Sequence, residues 1–373
     1  MRYIPAEPLL SPGLLIRAYN ARSRPSSGGI RFFALGRDAL ARFLLDRRVT
    51  EGLLYAPSYI CLEAVAPAER LGQEVCYYPV GDNLEPDWDW LAANRSSRGK
   101  ALLLVHYFGF PNSLDEALAF CHEHNLLLIE DCAHSFLTRF RGQAIGTLGD
   151  AGFYSYHKTL PLLDGAGLVV KDQDKDVFAL EDEDCPAGTS LRAVVKRLVR
   201  FGVSRTGVPA PLWRWRQRRI PRYSDTGSAV VEPAPESLPP MSKISHQIMQ
   251  VLEPDLKKII LTRRRNYCLL ARAFSAFPEV QLLYPKLPEG VCPYLFPILV
   301  QESEKIVRQL RDRGIPAHGW PDLPQEVVKG PEFTVARYYV DHLLALPVHQ
   351  DAGPKDLEYV VESYCQVRPA AVG

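Results

Sequence analysis

Short uninterrupted apolar segments alternate with stretches of helical spacing through the first 170 residues of the chain. Residues 101–105 and 126–129 are apolar without interruption, which is typical of parallel strands buried on both faces. Between them, residues 114–124 show the three- and four-residue spacing of an amphipathic helix. This alternation predicts an α/β fold with a mostly parallel sheet.

The same patterns predict elements elsewhere in the chain. Further strands are expected at 32–35, 53–57, 74–79, 294–300 and 344–347, and further helices at 38–45, 241–274, 303–313 and 354–365. Residues 1–30 are rich in Pro, Gly and Ser and are expected to form an arm or loop. We expect a large domain over 1–190, a basic insertion and linker over 191–240, and a long helix with a small C-terminal α+β domain over 241–373.

The composition excludes several classes of protein. Hydrophobic residues make up 47% of the chain, which argues against disorder over most of its length. The net charge is +1, from 44 Lys and Arg against 43 Asp and Glu, so we expect no nucleic-acid partner. No apolar run approaches the roughly 20 residues of a membrane span, and the first residues lack a signal-peptide core, so a cytoplasmic protein is expected. The 8 cysteines are scattered without paired spacing, which predicts neither a disulfide framework nor a metal site.

One segment departs from this balance of charge. Residues 191–223 contain 10 Lys or Arg and no acid, together with Trp213 and Trp215. A solvated basic face, paired with the acidic run at 181–184, would explain the pattern. Capture of a diphosphate-bearing substrate and peripheral contact with an anionic membrane are the functional alternatives.

The candidate chemistry lies between residues 126 and 170. Glu130 and Asp131 directly follow a buried strand, at the carboxyl edge where open α/β sheets bind their ligands. Lys158 then follows a short strand and precedes the glycine turn at 164–167. A single lysine is most often a surface charge, but an acid-ended strand and a glycine turn accompany this one in order.

This constellation resembles the DegT/DnrJ/EryC1/StrS family of aminotransferases, which depend on pyridoxal phosphate (PLP) and act mostly on nucleotide-linked keto-sugars. The matching segments are 36–40, 57–59, 105–109, 130–134, 149–167, 241–242, 263–266 and 344–349. The resemblance implies a fold-type-I PLP-dependent transferase and a homodimer. It also implies transfer of an amino group from glutamate or glutamine to a keto-sugar, most often nucleotide-linked, or a similar ketone, in polysaccharide or secondary-metabolite biosynthesis.

The resemblance assigns catalytic roles to residues whose chemistry suits them. Lys158 would bind the cofactor covalently and later move a proton at the substrate carbon. Asp131 would keep the pyridine nitrogen protonated, although a carboxylate capping the next helix is the alternative. His134 takes the position where most of the family has Gln, facing the ring oxygen, and a buried core histidine is its alternative.

The phosphate and the ring face also receive candidate residues from the resemblance. Gly36 and Arg37 open a helix after a strand, which suits a phosphate at a helix N-terminus. Ser155 matches the family's phosphate-contacting serine. The usual ring-stacking aromatic position falls on Cys61, and Tyr59 is the nearby aromatic candidate.

Several departures from the family pattern keep other functions open. Ser155 and Lys158 are 3 residues apart, where a separation of 5 is commoner, and Arg37 replaces a Thr. The family's partner-subunit Asn falls on Leu238 and its Arg on Pro240. A redirected PLP enzyme, such as a dehydratase, and a non-catalytic scaffold of a polysaccharide-assembly complex are the alternatives.

Overall fold

A computed structural model describes residues 2–21, 29–171, 191–206, 238–319 and 322–369. The strands are β1 (Ile30–Phe33), β2 (Leu53–Pro57), β3 (Glu74–Tyr78), β4 (Gly99–Val105), β5 (Leu127–Cys132), β6 (Arg139–Phe140), β7 (Gln143–Ala144), β8 (Ala151–Ser155), β9 (Ala166–Val170), β10 (Gln281–Leu282), β11 (Leu295–Leu299) and β12 (Leu343–Pro347).

The helices carry most of the remaining described residues. They are α1 (Pro12–Tyr19), α2 (Gly36–Asp46), α3 (Leu62–Arg70), α4 (Trp88–Asn94), α5 (Leu114–His124), α6 (Leu191–Thr206), α7 (Lys243–Leu252), α8 (Leu256–Phe274), α9 (Ser303–Asp312), α10 (Gln325–Lys329), α11 (Thr334–His342) and α12 (Pro354–Val367).

A seven-stranded sheet in the order β1-β9-β8-β5-β4-β2-β3 forms the centre of the large lobe. Strands β8, β5, β4, β2 and β3 are parallel to one another, whereas β9 runs antiparallel to both β8 and β1. The carboxyl ends of all strands except β9 therefore meet at one edge. The predicted α/β fold with a mostly parallel sheet is confirmed.

Burial explains why the predicted strands form the middle of this sheet. Leu102, Leu103 and Leu104 of β4 are fully buried, as an apolar strand covered by helices on both faces should be. Helix α2 covers one face with the buried side chains of Leu40 and Phe43. This packing fixes the strand ends that carry the candidate chemistry.

The C-terminal lobe is built on the antiparallel sheet β10-β11-β12. Helices α9 and α12 pack against each other, and α12 also packs against α8. Their buried residues join those of the large lobe in one continuous apolar core. The domain boundaries at 190 and 240 stay predictions, since most of the chain between them lies outside the described residues.

The single helix predicted over 241–274 is wrong, because the structure has two helices there. Helix α7 ends at Leu252, a short 3-10 turn spans Glu253–Asp255, and α8 begins at Leu256. Pro254 lies in that turn, and proline has no N–H for a hydrogen bond in a helix interior. The apolar periodicity continued across the break and concealed it.

The expectation of an arm or loop over residues 1–30 is wrong in part, because α1 lies within it. Ser11 caps this helix by accepting a hydrogen bond from Leu14 N at 3.1 Å, and Pro12 occupies its first turn. Leu14 and Ala18 are buried, and α1 packs against α7. Proline and serine therefore marked a helix start here.

The segment Arg2–Leu10 crosses the C-terminal lobe, and we call it the strap. Ile4 N donates to Gly314 O at 2.9 Å, and Leu9 N donates to an Asp351 carboxylate oxygen at 2.9 Å. His349 Nε2 lies 2.8 Å from Pro5 O. The strap is thus held by hydrogen bonds to residues more than 300 positions away.

Helix α6 is the described part of the basic segment. Arg197 and Arg200 both donate to Glu7 Oε2 of the strap, at 2.5 and 2.7 Å. Lys196 is exposed on the same helix. Trp213 and Trp215 lie outside the described residues, as does the acidic run at 181–184.

Candidate active site

The carboxyl edge of the large sheet brings most of the predicted site residues together. Asp131 lies at the end of β5, opposite Phe153 of the neighbouring strand β8. Ser155 ends β8, and the chain continues from there into a 3-10 turn that ends at Lys158. Gly36 opens α2, which begins just after β1 reaches the same edge.

Lys158 lies within electrostatic reach of the other central side chains. Burial raises the pKa of Asp131 and of Cys61, and the positive charge of Lys158 opposes that rise. Burial lowers the pKa of His134, and the same charge adds to that fall. Lys158 is half-buried, and the described residues offer its amine no hydrogen bond or ion pair. As far as the described residues are concerned, the Lys158 amine is therefore available to a ligand.

Asp131 is a buried carboxylate with spare hydrogen-bonding capacity. Ala133 N donates to Asp131 Oδ1 at 2.8 Å, and this is the hydrogen bond that the described residues give to the carboxylate. Burial raises the pKa of Asp131 above its ordinary value, and the bond from Ala133 and the charge on Lys158 oppose that rise. A buried carboxyl group with one hydrogen bond from the described residues and a raised pKa can pair with a ligand nitrogen that carries a proton.

The ring of His134 is held between two aromatic rings. It stacks on Tyr294 with 4.7 Å between centroids, and on Phe108 with 6.0 Å. Phe108 N donates to His134 Nδ1 at 3.4 Å, so the ring proton lies on Nε2. Burial, aided by the charge on Lys158, lowers the pKa of His134 well below its ordinary value. The imidazole is therefore neutral and can donate from Nε2.

Glu130, next to Asp131, is fully buried in a hydrogen-bond network. It accepts from Gly146 N at 2.8 Å, Leu148 N at 2.9 Å and Gly149 N at 2.7 Å, and lies 3.2 Å from His106 Nε2. Burial alone raises its pKa, but the bonds from His106 and from the backbone outweigh this, so its pKa is lowered. Glu130 and His106 form a group with Cys132 that could geometrically hold a metal.

In that group, the polar side-chain atoms of His106 and Glu130 already make hydrogen bonds within the protein. His106 Nδ1 accepts from Asn112 N at 3.0 Å, which leaves Nε2 as the donor to Glu130. Both nitrogen atoms of the ring and both oxygen atoms of the carboxylate therefore have partners. The group braces the end of β5, and with it Asp131.

Gly36 and Ser155 lie close together at the beginning of α2. A Cβ placed on Gly36 would lie 3.8 Å from Tyr154 O, next to Ser155, and would contact nothing closer than 3.6 Å. Ser155 is buried, with its Oγ 3.3 Å from His157 Nδ1. Arg37 donates to the exposed Glu63 at 3.3 Å. The N-terminus of α2 thus lies next to the end of β8 that carries Ser155, while Arg37 is paired at the surface.

Tyr59, the aromatic candidate, lies among other tyrosine rings. It is fully buried, with its ring 5.6 Å from Tyr107 and 5.7 Å from Tyr339, centroid to centroid. Cys61 lies at the N-cap position of α3, where the charges of Lys158 and Asp131 both act on its thiol.

Tyr294 is a residue that sequence reasoning missed. It lies one position before β11, in the C-terminal lobe, and reaches the site only through the fold. Its sequence signal was that of an ordinary strand residue. Leu238, where the family's partner-subunit Asn would fall, lies one residue before Pro239, whose carbonyl accepts from Ala34 N at 2.8 Å.

Part of the chain matches the profile of a known protein family. Residues 56–180 match the profile of the DegT/DnrJ/EryC1/StrS aminotransferase family. This match contains Asp131, His134, Ser155 and Lys158. The resemblance inferred from the sequence motifs is confirmed.

Two curated relatives illustrate the range of similarity. GDP-perosamine synthase of Escherichia coli O157:H7 is 30% identical over 83 residues, 22% of this chain and 23% of that protein. The spore coat polysaccharide biosynthesis protein SpsC of Bacillus subtilis is 24% identical over 291 residues, 73% of this chain and 68% of that protein. Several relatives, the synthase included, are matched over only about a fifth to a quarter of their own length.

Solved structures share the whole fold. Spr1654 of Streptococcus pneumoniae, in its PLP form, superposes with a TM-score of 0.69 at 16% identity, covering 98% of each chain. At that identity the likeness concerns the fold, and it confirms the predicted transferase fold. No helix within the described ranges is long and apolar enough to cross a membrane.

Proposed function

Over residues 56–180 the chain is a member of the DegT/DnrJ/EryC1/StrS aminotransferase family, and on that premise we propose that it is a PLP-dependent aminotransferase. The observation that carries the proposal is the meeting of Lys158, Asp131 and His134 at one edge of the sheet. There the charge on Lys158 acts on both other side chains. In this reading the acceptor is a nucleotide-linked keto-sugar or a similar ketone, and the amino donor is glutamate or glutamine.

The donor set fits PLP. A buried carboxylate with one hydrogen bond from the described residues suits a protonated ring nitrogen. An amine without a described partner suits the cofactor's aldehyde. A neutral imidazole with its proton on Nε2 suits the ring oxygen. A helix N-terminus beside a buried serine suits the phosphate.

The protein's own residues then have distinct roles. Bound PLP supplies an electron sink for the substrate carbon. Lys158 would hold the cofactor, and its Nζ atom would serve as the group that takes up and returns a proton at the substrate carbon. Asp131 keeps the ring nitrogen protonated, and Glu130 and His106 hold the strand end that carries Asp131.

The oligomeric state belongs to the same proposal. Transferases of this fold place the site between two subunits, so we propose a homodimer. The side chains at Leu238 and Pro240 lack the amide and guanidinium that the family supplies from the partner there. Sedimentation of the purified protein would test this, and a fully active monomer would contradict it.

The chemical assignment has a direct experiment. The protein loaded with PLP should absorb in the visible range, and borohydride reduction followed by peptide mapping should place the label on Lys158. A panel of nucleotide-linked keto-sugars, each with glutamate or glutamine, would identify the acceptor. A colourless protein that takes up no label would contradict the proposal and favour a non-catalytic scaffold.

A further inference from the structure

Arg263 of α8 is buried, with 1% of its surface exposed, and its guanidinium is surrounded by oxygen atoms from three other segments. Nε donates to Gln350 Oε1 at 3.0 Å, and Nη2 donates to Thr159 O at 3.1 Å. Nη1 lies 3.2 Å from Pro293 O and 3.3 Å from Tyr294 O. Every nitrogen atom of the guanidinium therefore has a partner.

These partners are neutral. Among the residues that the structure describes, no carboxylate lies within ion-pair distance of Arg263, although the charge of Asp351 acts on it from farther away. Burial lowers the pKa of Arg263. A buried cation is costly unless its N–H groups are satisfied. An apolar side chain would fill the space without that cost, so packing alone does not account for an arginine.

The carbonyl oxygens that Arg263 binds belong to the candidate active site. Thr159 directly follows Lys158, and its carbonyl also accepts from Gln350 Nε2 at 3.0 Å. Two donors of the C-terminal lobe thus hold one peptide of the lysine turn. On the other side, the carbonyl of Tyr294 belongs to the residue whose ring stacks on His134.

We propose that Arg263 is a positioning residue that fixes Lys158 and the His134–Tyr294 stack relative to each other. The guanidinium is rigid and planar, so it can hold two backbone segments at a set separation, which a flexible ammonium cannot. The C-terminal lobe would thereby set the orientation of the lysine. This inference rests on the proposed role of Lys158.

The test uses the full-length protein loaded with PLP and four variants. Arg263→Gln removes the charge and most of the donors, Arg263→Lys keeps the charge, and Gln350→Ala removes one donor to Thr159 O. Arg264→Gln is the matched control, since Arg264 lies next in the same helix and donates to Pro288 O and Val291 O instead. Thermal unfolding of each variant shows whether it folds.

Three measurements separate positioning from stability. They are the pH midpoint of the visible absorbance, the rate of cofactor dissociation, and kcat and KM for the amino donor. For Arg263→Gln we expect a shift of the midpoint by about half a pH unit or more and dissociation about tenfold faster, equivalent to about 1.4 kcal/mol. We expect kcat to fall while KM stays within about twofold of the wild-type value. That is the pattern expected when the lost interaction matters at the reacting atoms rather than for substrate binding.

The other variants complete the argument. Arg263→Lys should lie between wild type and Arg263→Gln, Gln350→Ala should change in the same direction by less, and Arg264→Gln should match wild type. If Arg263→Gln does not fold, the same three measurements on Gln350→Ala test the inference. Folded variants with the wild-type midpoint and dissociation rate would overturn the inference while leaving the proposed function intact. A wild-type protein without a label on Lys158 would overturn both.

Discussion

The imidazole of His134 stacks on the phenol ring of Tyr294, with 4.7 Å between centroids and 26° between planes. One residue belongs to the large lobe and the other to the C-terminal lobe, so the stack joins the two lobes at the candidate cofactor site. A stacked aromatic pair contributes about 0.5 to 1.5 kcal/mol beyond its buried area. Removing one ring should therefore be measurable in cofactor binding.

We expect Tyr294→Ala to weaken PLP binding by about tenfold, because His134 loses the ring that orients it. Tyr294→Phe keeps the stack and should bind as wild type does. Titration of the apoprotein with PLP, followed by absorbance, measures both. The control is Tyr284→Ala, since Tyr284 stacks on Phe110 with 4.1 Å between centroids instead. Equal affinities for Tyr294→Ala and wild type would refute the role of the stack.

Asp131→Asn should reduce the rate of transamination by about a hundredfold or more, because an amide cannot hold the proton of the ring nitrogen as a carboxylate does. The side chain keeps its shape, so the unfolding temperature should change little. The exposed Asp115, paired with Arg141 at the surface, provides the control variant Asp115→Asn. A kcat close to wild type for Asp131→Asn would assign the carboxylate to structure rather than to catalysis.

Acid should destabilise the protein through His318. Burial, with help from Arg311 and against the opposing charge of Glu7, lowers the pKa of His318 to about 4. Between pH 6.5 and 4 the unfolded chain binds a proton there that the folded chain does not, so the free energy of unfolding falls as the pH falls. The fall attributable to this group is at most about 3.4 kcal/mol, the equivalent of 2.5 pKa units.

Urea unfolding of wild type and of His318→Gln, at intervals from pH 7 to pH 4, isolates this contribution. The wild-type midpoint should decline faster with acid than that of the variant. Other buried histidines contribute equally to both proteins and cancel in the difference. Parallel curves would show that His318 titrates alike in the folded and unfolded chains.

Arg197 should anchor helix α6, whereas its neighbour Lys196 should not. The Arg197 side chain is 11% exposed and donates to Glu7 and to Leu162 O, at 2.5 and 2.8 Å. Breaking such a partly buried pair costs about 1 to 3 kcal/mol, which corresponds to roughly fivefold or more in local opening. Limited proteolysis should therefore cut α6 of Arg197→Ala about tenfold faster than wild type.

Lys196→Ala is the control for this prediction, because Lys196 is exposed on the same helix. Its cleavage rate should equal that of wild type. If both variants are cut alike, the contact between α6 and the strap does not stabilise the helix. The basic segment would then behave as a solvated face along its described part.

The sequence supported prediction of the elements whose pattern is local. The apolar runs of β4 and β5 are buried on both faces, so their composition alone identified them. Helix α5 was predicted at its observed bounds, Leu114–His124. Helix α1 was missed because its buried face is short, with only Leu14 and Ala18 buried.

The site was predictable where one short segment carries the chemistry. Asp131 and Lys158 follow strands that are neighbours in the sheet, so local motifs sufficed to bring them together. Tyr294 and Arg263 reach the site from distant parts of the chain, and nothing in their own neighbourhoods indicated it. The role of Tyr59 stays a prediction, and in the structure its ring lies 5.7 Å from that of Tyr339, centroid to centroid.

The strap has a consequence for how the protein is made. Leu9 and Asp351 are 342 positions apart, and Pro5 and His349 are 344 apart. A ribosome adding about 5 to 20 residues per second needs some tens of seconds to cover that distance. Throughout that time the strap lacks its hydrogen bonds to Asp351 and His349. The strap can therefore make these contacts only after residues 349–351 have been synthesised.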